Sequence, residues 1–99
     1  MNTVRKIPEY EKYTISEKGT VMRDGFVLIP FVTKKGYKVV TLCKNGTQKK
    51  FYNHYLVYIT FVGSIRSNEI IIFIDKDKDN TSPTNLKLKV IKNARRKNL

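Results

Sequence analysis

The chain has one cysteine, one histidine and no tryptophan among its 99 residues. Because Cys43 is alone, an internal disulfide and a cysteine-rich zinc site are excluded, and a reducing cytoplasm suits the chain. The most apolar stretches, residues 55–62 and 70–74, fall short of the ~20 residues that span a bilayer. The first residues, with Arg5, Lys6 and Pro8, lack the apolar run of a signal peptide. We therefore expect a cytoplasmic protein with no membrane partner.

Acidic residues are also scarce, with 8 against 20 lysines and arginines, which gives a net charge of +12. None lies between Gly25 and Asn68, and none follows Asp79. A charge of this kind attracts polyanions, above all the phosphates of nucleic acids. The alternative is an ordinary solvated basic surface. The candidate nucleic-acid contacts are Lys34, Lys35, Lys38, Lys49, Lys50, Lys87, Lys89, Lys92, Arg95, Arg96 and Lys97.

The first half of the chain reads as short strands separated by tight turns. Hydrophobic residues make up 40% of the chain, which is enough for a folded core. Turn signals occur at residues 17–19, at Asp24-Gly25 and at Asn45-Gly46. Strands are predicted at residues 13–15, 20–22, 26–29 (ended by Pro30), 38–42 and 48–51. The first fifty residues are therefore predicted to form a small antiparallel β-meander.

The second half has a different pattern. Residues 53–61 are predicted to form a helix, with Asn53 as its N-cap and Gly63 as its stop. Residues 69–74 are apolar on both faces, which predicts a buried strand, and residues 75–81 form a polar loop. Ser82 and Pro83 are typical of a helix start, and residues 91–98 are predicted to form a basic helix.

Several short motifs occur along the chain in a fixed order. The first half contains Ile7-Pro8, Tyr10, Tyr13-Thr14-Ile15-Ser16, Gly19-Thr20-Val21, Leu28, Pro30, Gly36-Tyr37, Val40 and Leu42. The second half contains His54-Tyr55-Leu56-Val57, Phe61, Ile74-Asp75, Asn80, Pro83, Asn85 and Leu86. Together they resemble the HNH homing endonucleases of phages and introns that carry an N-terminal nuclease-associated module. The resemblance implies an α+β fold, with a nuclease-associated β module at residues 1–51. A degenerate ββα-metal-like HNH unit with a basic C-terminal tail would follow at residues 52–99.

The same resemblance places two unsuitable side chains at the catalytic centre. In such a nuclease a histidine deprotonates water, and a divalent metal stabilises the leaving oxygen. Phe73 stands at the position of that histidine, and Ile72 at the position of a metal-binding aspartate. Neither can replace the lost group, because phenylalanine does not titrate and isoleucine offers no lone pair. We therefore expect no catalytic residue, no metal and no cofactor, and a catalytic hairpin that has become hydrophobic core.

Three polar residues of the pattern remain: Asp75, Asn80 and Asn85. By the resemblance Asn80 shapes the hairpin loop, and Asn85 supports the chemistry of the metal site. Asp75 is expected to accept hydrogen bonds from backbone N–H groups of the loop. Asp75 also begins an EF-hand-like series with Asp77 and Asp79, but Asn80 replaces the required glycine and position 12 is a leucine. A solvated charged loop is the simpler interpretation, with adventitious magnesium at Asp77 or Asp79 as the alternative.

His54 leaves its own alternatives open. By the resemblance it belongs to the helix before the hairpin, where it would be packed in the hydrophobic junction or contact a phosphate. A substituted catalytic base is the third interpretation.

Three functions follow from these observations. The first is a catalytically inactive, phage-derived protein that binds double-stranded DNA. The second is a phage inhibitor that binds an acidic surface of a host protein, such as a polymerase or a defence nuclease. The third is an active DNA endonuclease that uses Mg²⁺ with His54, or with Asp77 and Asp79, as non-standard groups.

Overall fold

The computed structural model of the protein describes residues 3–91. The strands are β1 (Val4–Ile7), β2 (Tyr10–Ser16), β3 (Val21–Arg23), β4 (Phe26–Val27), β5 (Phe31–Val32), β6 (Lys38–Lys44), β7 (Thr47–Tyr52), β8 (Glu69–Phe73) and β9 (Leu86–Val90). One helix, α1 (Asn53–Phe61), follows β7, and a 3₁₀ turn (Pro83–Asn85) precedes β9. Strands β1–β4 form a first antiparallel sheet, β5–β7 form a second, and β8 pairs with β9 as a hairpin. The α+β fold expected from the sequence is confirmed.

Two turns were located correctly by their dipeptides. Asp24-Gly25 joins β3 to β4 with φ of 51° and 81°, and Asn45-Gly46 joins β6 to β7 with φ of 53° and 80°. Positive φ at both central positions is the geometry that two-residue hairpin turns require, and Asp, Asn and Gly tolerate it best. The turns fix the register of both hairpins.

The predicted single meander is in fact two sheets. Strand β4 ends at Val27, although the Leu28 N–H still donates to Val21 O at 2.8 Å. Pro30 has no N–H to continue the ladder, so the chain leaves the first sheet and starts the second at Phe31. The predicted strand at residues 26–29 is therefore wrong at its end. Strand β1 was not predicted, because a single core residue, Ile7, gives no alternation to recognise.

Helix α1 lies where the two sheets share a hydrophobic core. Its residues Leu56 and Val57 are fully buried. They belong to one cluster with Ile7, Tyr13, Ile15, Val21, Val40, Leu42 and Leu86. The helix prediction is confirmed, but Asn53 is not the N-cap; Tyr52 holds that position. The Asn53 side chain is buried and its Nδ2 donates instead to Gly19 O at 2.8 Å.

Buried polar contacts join the two predicted units at the β2–β3 turn. Gly19, with φ of +86°, lies against Thr81, whose Oγ1 donates to Lys18 O at 2.9 Å. A Cβ on Gly19 would lie 2.3 Å from Thr81 Oγ1. The turn therefore packs against the start of α1 and the loop before the 3₁₀ turn. The boundary between a β module at residues 1–51 and an HNH unit at residues 52–99 stays a prediction.

The region after the polar loop differs from its prediction. Ser82 and Pro83 begin only a 3₁₀ turn of three residues, and a strand follows at once. The alternation of Leu86, Leu88 and Val90 with two lysines was the available signal for that strand. Except for Ile91, the helix predicted for residues 91–98 lies outside the described residues.

Strand β8 is not the buried strand that was predicted. Ile71 and Phe73 pack against the core, but Ile70 is 42% exposed and Ile72 is half-buried. A two-stranded hairpin offers only one face to a core, and within residues 3–91 the other face remains accessible. Part of the hairpin has therefore not become core. No helix within these residues is long and apolar enough to cross a membrane.

Candidate functional site

Four ring side chains meet where β7, α1 and β8 converge. The ring of Phe73 meets His54 edge-on, with centroids 4.9 Å apart and planes at 65°. Tyr52 stacks on the ring of His54, with centroids 5.1 Å apart. The centroid of the Tyr37 ring lies 5.5 Å from that of His54 and 6.2 Å from that of Phe73. We call Tyr37, Tyr52, His54 and Phe73 the aromatic cluster. It stands at the end of β8, where the resemblance expects catalytic groups.

The aromatic cluster controls the chemistry of His54. The side chain is only 8% exposed. Burial disfavours the charged imidazolium, and this lowers the pKa of His54 from 6.5 to about 4. The imidazole is therefore neutral at physiological pH and is enclosed by rings. This environment matches a packed histidine better than a base poised near pH 7.

Ile72 and Phe73 point to opposite faces of the hairpin. Successive strand residues alternate, so Ile72 lies beside its cross-strand partner Lys87, while Phe73 faces the core beside Leu86. Neither side chain carries a donor atom for a metal. Within residues 3–91 there is no group of three His, Cys, Asp or Glu side chains that could hold a metal ion. The donors around the end of β8 do not fit the divalent ion that the resemblance implies.

Asp75, Asn80 and Asn85 form one hydrogen-bonded network that shapes the β8–β9 loop. Asn85 is buried; its Oδ1 accepts from the Asp75 N–H at 3.0 Å, and its Nδ2 donates to Asp75 Oδ1 and Asn80 O, each at 2.8 Å. Asn80 Nδ2 donates to Asp75 Oδ2 at 3.0 Å, and the Asp77 N–H donates to Asp75 Oδ1 at 2.8 Å. These hydrogen bonds, led by that from Asn80, lower the pKa of Asp75. Its carboxylate is therefore engaged within the loop.

The remaining carboxylates of the loop also have structural partners. Asp77 Oδ1 accepts from the Asp79 N–H at 3.0 Å, and Asp79 Oδ1 lies 3.9 Å from Lys38 Nζ. Lys78 Nζ lies 4.7 Å from the centroid of the Tyr37 ring and donates to Lys35 O. The loop thus docks on the turn between β5 and β6. Both aspartates are exposed, as a solvated charged loop requires.

The described lysines among the predicted nucleic-acid contacts lie on several different elements. Lys34 and Lys35 lie in the turn before β6, Lys38, Lys49 and Lys50 in the second sheet, and Lys87 and Lys89 on β9. Lys92, Arg95, Arg96 and Lys97 lie outside the described residues. Cross-strand pairing puts Lys49 and Lys50 on opposite faces, and the Lys49 ammonium lies 5.5 Å from the Phe51 ring centroid.

One face of the second sheet is turned away from the core. Residues that pair directly across strands share a face, and Val40 and Leu42 on the inner face are buried. The outer face therefore carries Phe31, Val39, Thr41, Cys43, Gln48, Lys50 and Tyr52. Of these residues, only Lys50 is among the nucleic-acid contacts named from the sequence. The regular alternation of buried residues in β6 was the signal that separates the two faces. Through Tyr52 the outer face of the second sheet continues into the aromatic cluster.

Comparison with known proteins gives matches over both halves of the chain. Residues 5–43 match the NUMOD4 motif, and residues 51–96 match the HNH endonuclease family HNH_3. An uncharacterized HNH endonuclease, L245 of Acanthamoeba polyphaga mimivirus, is 31% identical over 83 residues. That match covers 83% of this chain and 25% of the relative.

A solved structure shares the fold. The HNH homing endonuclease I-HmuI, described for its DNA binding and cleavage, superposes with a TM-score of 0.82 at 32% identity. The match covers 89% of this chain and 52% of that one, so this chain spans about half of I-HmuI and a quarter of the mimivirus relative. A NUMOD4 motif followed by an HNH region, on a shared fold, agrees with the motif order read from the sequence. The chain therefore carries a NUMOD4 motif and a region matching the HNH endonuclease model, and it is homologous to HNH endonucleases over these residues.

Proposed function

We propose that this chain is a catalytically inactive HNH-family protein that binds double-stranded DNA in the cytoplasm of a phage-infected cell. The observation that carries the proposal is the edge-on packing of Phe73 against His54 at the end of β8. A ring with no titratable group takes the place that the family resemblance gives to the general base. The scaffold around it is retained.

Loss of hydrolysis is supported by the residues at the expected base and metal-ligand positions. It is also supported by the environment of the side chains that could replace them. Phe73 cannot accept a proton and Ile72 cannot bind a hard cation. His54 is enclosed and holds a pKa of about 4, so it is a weak base toward water at neutral pH. Asp77 and Asp79 are exposed, but within residues 3–91 they belong to no group of three His, Cys, Asp or Glu side chains that could hold a metal ion.

DNA binding is supported by the positive net charge of the chain and by its structural similarity to I-HmuI. The net charge of +12 favours phosphates, and Lys50, Lys87 and Lys89 are exposed on strands. The structurally similar I-HmuI is described as binding DNA. The major groove of B-DNA admits an α-helix or a two-stranded β-ribbon, and β6 and β7 form an antiparallel pair of this kind. The outer face of the second sheet, which carries Lys50 and continues into the aromatic cluster, is therefore the proposed contact surface.

The proposal is tested by measuring binding and cleavage on the same DNA. We expect the protein to shift duplex DNA equally with Mg²⁺ and with EDTA, to lose affinity steeply with added salt, and to leave supercoiled plasmid unnicked. Nicking with Mg²⁺ or Mn²⁺ that disappears in His54→Ala would establish the active-nuclease alternative. Absence of any duplex binding at low salt would refute the DNA proposal.

An acidic host protein is the second candidate partner. Phe26 is 75% exposed on β4, which is one of the two edge strands of the first sheet and has no strand on its outer side within the described residues. Such an edge can accept an extended segment of another protein. A host-lysate pull-down that survives nuclease treatment and is lost in Phe26→Ser would favour this candidate. Loss of all captured protein on nuclease treatment would favour DNA.

A further inference from the structure

An apolar hollow opens beside the second sheet. It has a volume of about 280 Å³ and is lined by Leu28, Ile29, Phe31, Val39, Val40 and Thr41. Its rim is unusually accessible for such side chains, because Ile29 is 85% and Phe31 is 70% exposed. Large apolar side chains left in water are typical of a contact surface. The first β module therefore carries a recognition feature that charge does not explain.

The hollow is continuous with the outer face of the second sheet. Phe31 pairs with Val39, Val39 pairs with Tyr52, and Thr41 pairs with Lys50, so their side chains share that face. A duplex that contacts Lys50 would also lie over Phe31 and Val39. Whatever fills the hollow must then be something that DNA itself presents.

B-DNA offers a limited choice of apolar groups. In the major groove the base edges carry hydrogen-bond donors and acceptors, apart from the C5-methyl group of thymine. Phosphates are charged and suit the lysines instead, and the sugars lie along the backbone outside the groove floor. A hydrocarbon-lined hollow beside Lys50, Gln48 and Thr41 therefore matches a thymine methyl among hydrogen-bonding neighbours. A second copy of this chain is a poorer occupant, since each copy has a net charge of +12.

We propose that Phe31 and Ile29, with Val39, form an apolar subsite that receives thymine C5-methyl groups and gives the protein a preference for thymine. This inference rests on the proposed DNA binding. Lys50 positions the duplex through phosphate, whereas the hollow distinguishes bases. Burying one methyl group is worth about fourfold in affinity.

The test removes the methyl group from the DNA and the ring from the protein. Fluorescence anisotropy is measured on a duplex of alternating A and T, and on the same duplex with uracil in place of thymine. Every base pair of the thymine duplex carries the methyl group and no base pair of the uracil duplex does. The comparison therefore does not depend on where along the duplex the protein binds. The wild-type protein should bind the thymine duplex about fourfold or more tightly than the uracil duplex. Phe31→Ala should abolish that ratio.

Two controls separate the methyl contact from other effects. Phe26→Ala removes an equally exposed ring that does not line the hollow, and it should keep the ratio. A duplex of G and 5-methylcytosine should bind more tightly than its unmethylated form, and this gain should also vanish in Phe31→Ala. Any difference in duplex shape caused by uracil would persist in Phe31→Ala, whereas a methyl contact would not.

Each other outcome overturns the inference in a recognisable way. Equal wild-type affinity for the two duplexes removes the thymine subsite and leaves DNA binding intact. A ratio that survives in Phe31→Ala shows that another surface reads the methyl. A wild-type dimer that Phe31→Ala converts to a monomer in sedimentation identifies the hollow as a contact between copies. No binding to either duplex refutes the proposed function itself.

Discussion

The ring of Phe73 lies edge-on to the ring of His54, with centroids 4.9 Å apart. One residue ends β8 and the other lies in the first turn of α1, so the contact joins the hairpin to the helix. The contact also helps to exclude water from the imidazole. The residue at the base position therefore contributes to the burial that lowers the pKa of the single histidine.

The pKa of His54 should be directly visible, because the chain has one histidine. Proton NMR titration of the wild type should give a pKa of about 4. In Phe73→Ala the pKa should rise toward 6.5, since removal of the ring readmits water. Ile72→Ala is the matched control, because this side chain points to the opposite face of the hairpin and should leave the titration unchanged.

Folding stability should fall as the pH is lowered through the same range. His54 titrates at about 4 when folded and at 6.5 as its reference value, so the unfolded chain binds the proton first. The free energy of unfolding should drop by about 2 kcal/mol from about pH 7.5 to about pH 5. In His54→Phe that drop should be largely absent. Asp75 adds no slope in this window, because the stabilisation that accompanies its lowered pKa is fully present above the ordinary pKa of an aspartate and is lost only at more acidic pH. Urea denaturation at each pH measures the free energy of unfolding of the wild type and of His54→Phe. If this free energy changed equally with pH in the two proteins, the drop would not come from His54.

Gly19 should tolerate alanine much less than Gly46 does. Both have positive φ, at 86° and 80°, so alanine at either costs about 1–2 kcal/mol. Only at Gly19 would the new Cβ meet another group, Thr81 Oγ1 at 2.3 Å, whereas nothing lies within 4 Å at Gly46. Gly19→Ala should therefore destabilise by about 2 kcal/mol more than Gly46→Ala in chemical denaturation. Equal losses would show that backbone strain alone matters.

Asn85→Ala should destabilise the fold by about 2–3 kcal/mol, because it leaves a partly buried Asp75 N–H without its acceptor and removes both donated bonds. Asn68→Ala changes an exposed residue and should have little effect. Thermal unfolding of the two variants measures the difference. If the two variants melted alike, the network would have no role in stability.

Lys50→Gln should weaken DNA binding for all sequences alike and reduce the slope of log affinity against log salt by about one. Lys12→Gln, which removes an exposed charge on β2 in the first sheet, is the control and should leave the slope unchanged. Salt titrations of anisotropy on one duplex compare them. A smaller slope in the control variant would place the DNA on the first sheet.

Local chemistry made several elements predictable. Asp-Gly and Asn-Gly tolerate the positive φ that two-residue turns require, so Asp24-Gly25 and Asn45-Gly46 marked two hairpins. The alternation of Leu86, Leu88 and Val90 with lysines also indicated the strand β9. Ser82-Pro83, however, is typical of a helix start and predicted a helix there. Only packing decides between such signals, because a 3₁₀ turn and a helix begin in the same way.

In the candidate site, too, some features follow from residue identity and others depend on contacts between distant segments. The motif order was sufficient to recognise the resemblance to HNH endonucleases, and the identities of Phe73 and Ile72 were sufficient to predict lost catalysis, because side-chain chemistry is set by the residue itself. Asn53 looked like a cap, but it reaches Gly19, 34 positions earlier in the chain, and no local pattern reports such a partner.

The sequence by itself determined the charge, the turns, the helix and the absence of a titratable group at residue 73, since these follow from composition and short-range sterics. The tertiary structure alone decided that His54 is enclosed and neutral, that Lys49 and Lys50 face opposite ways, and that Phe31 shares a face with Lys50. Burial, register and the hollow depend on which distant segments pack together.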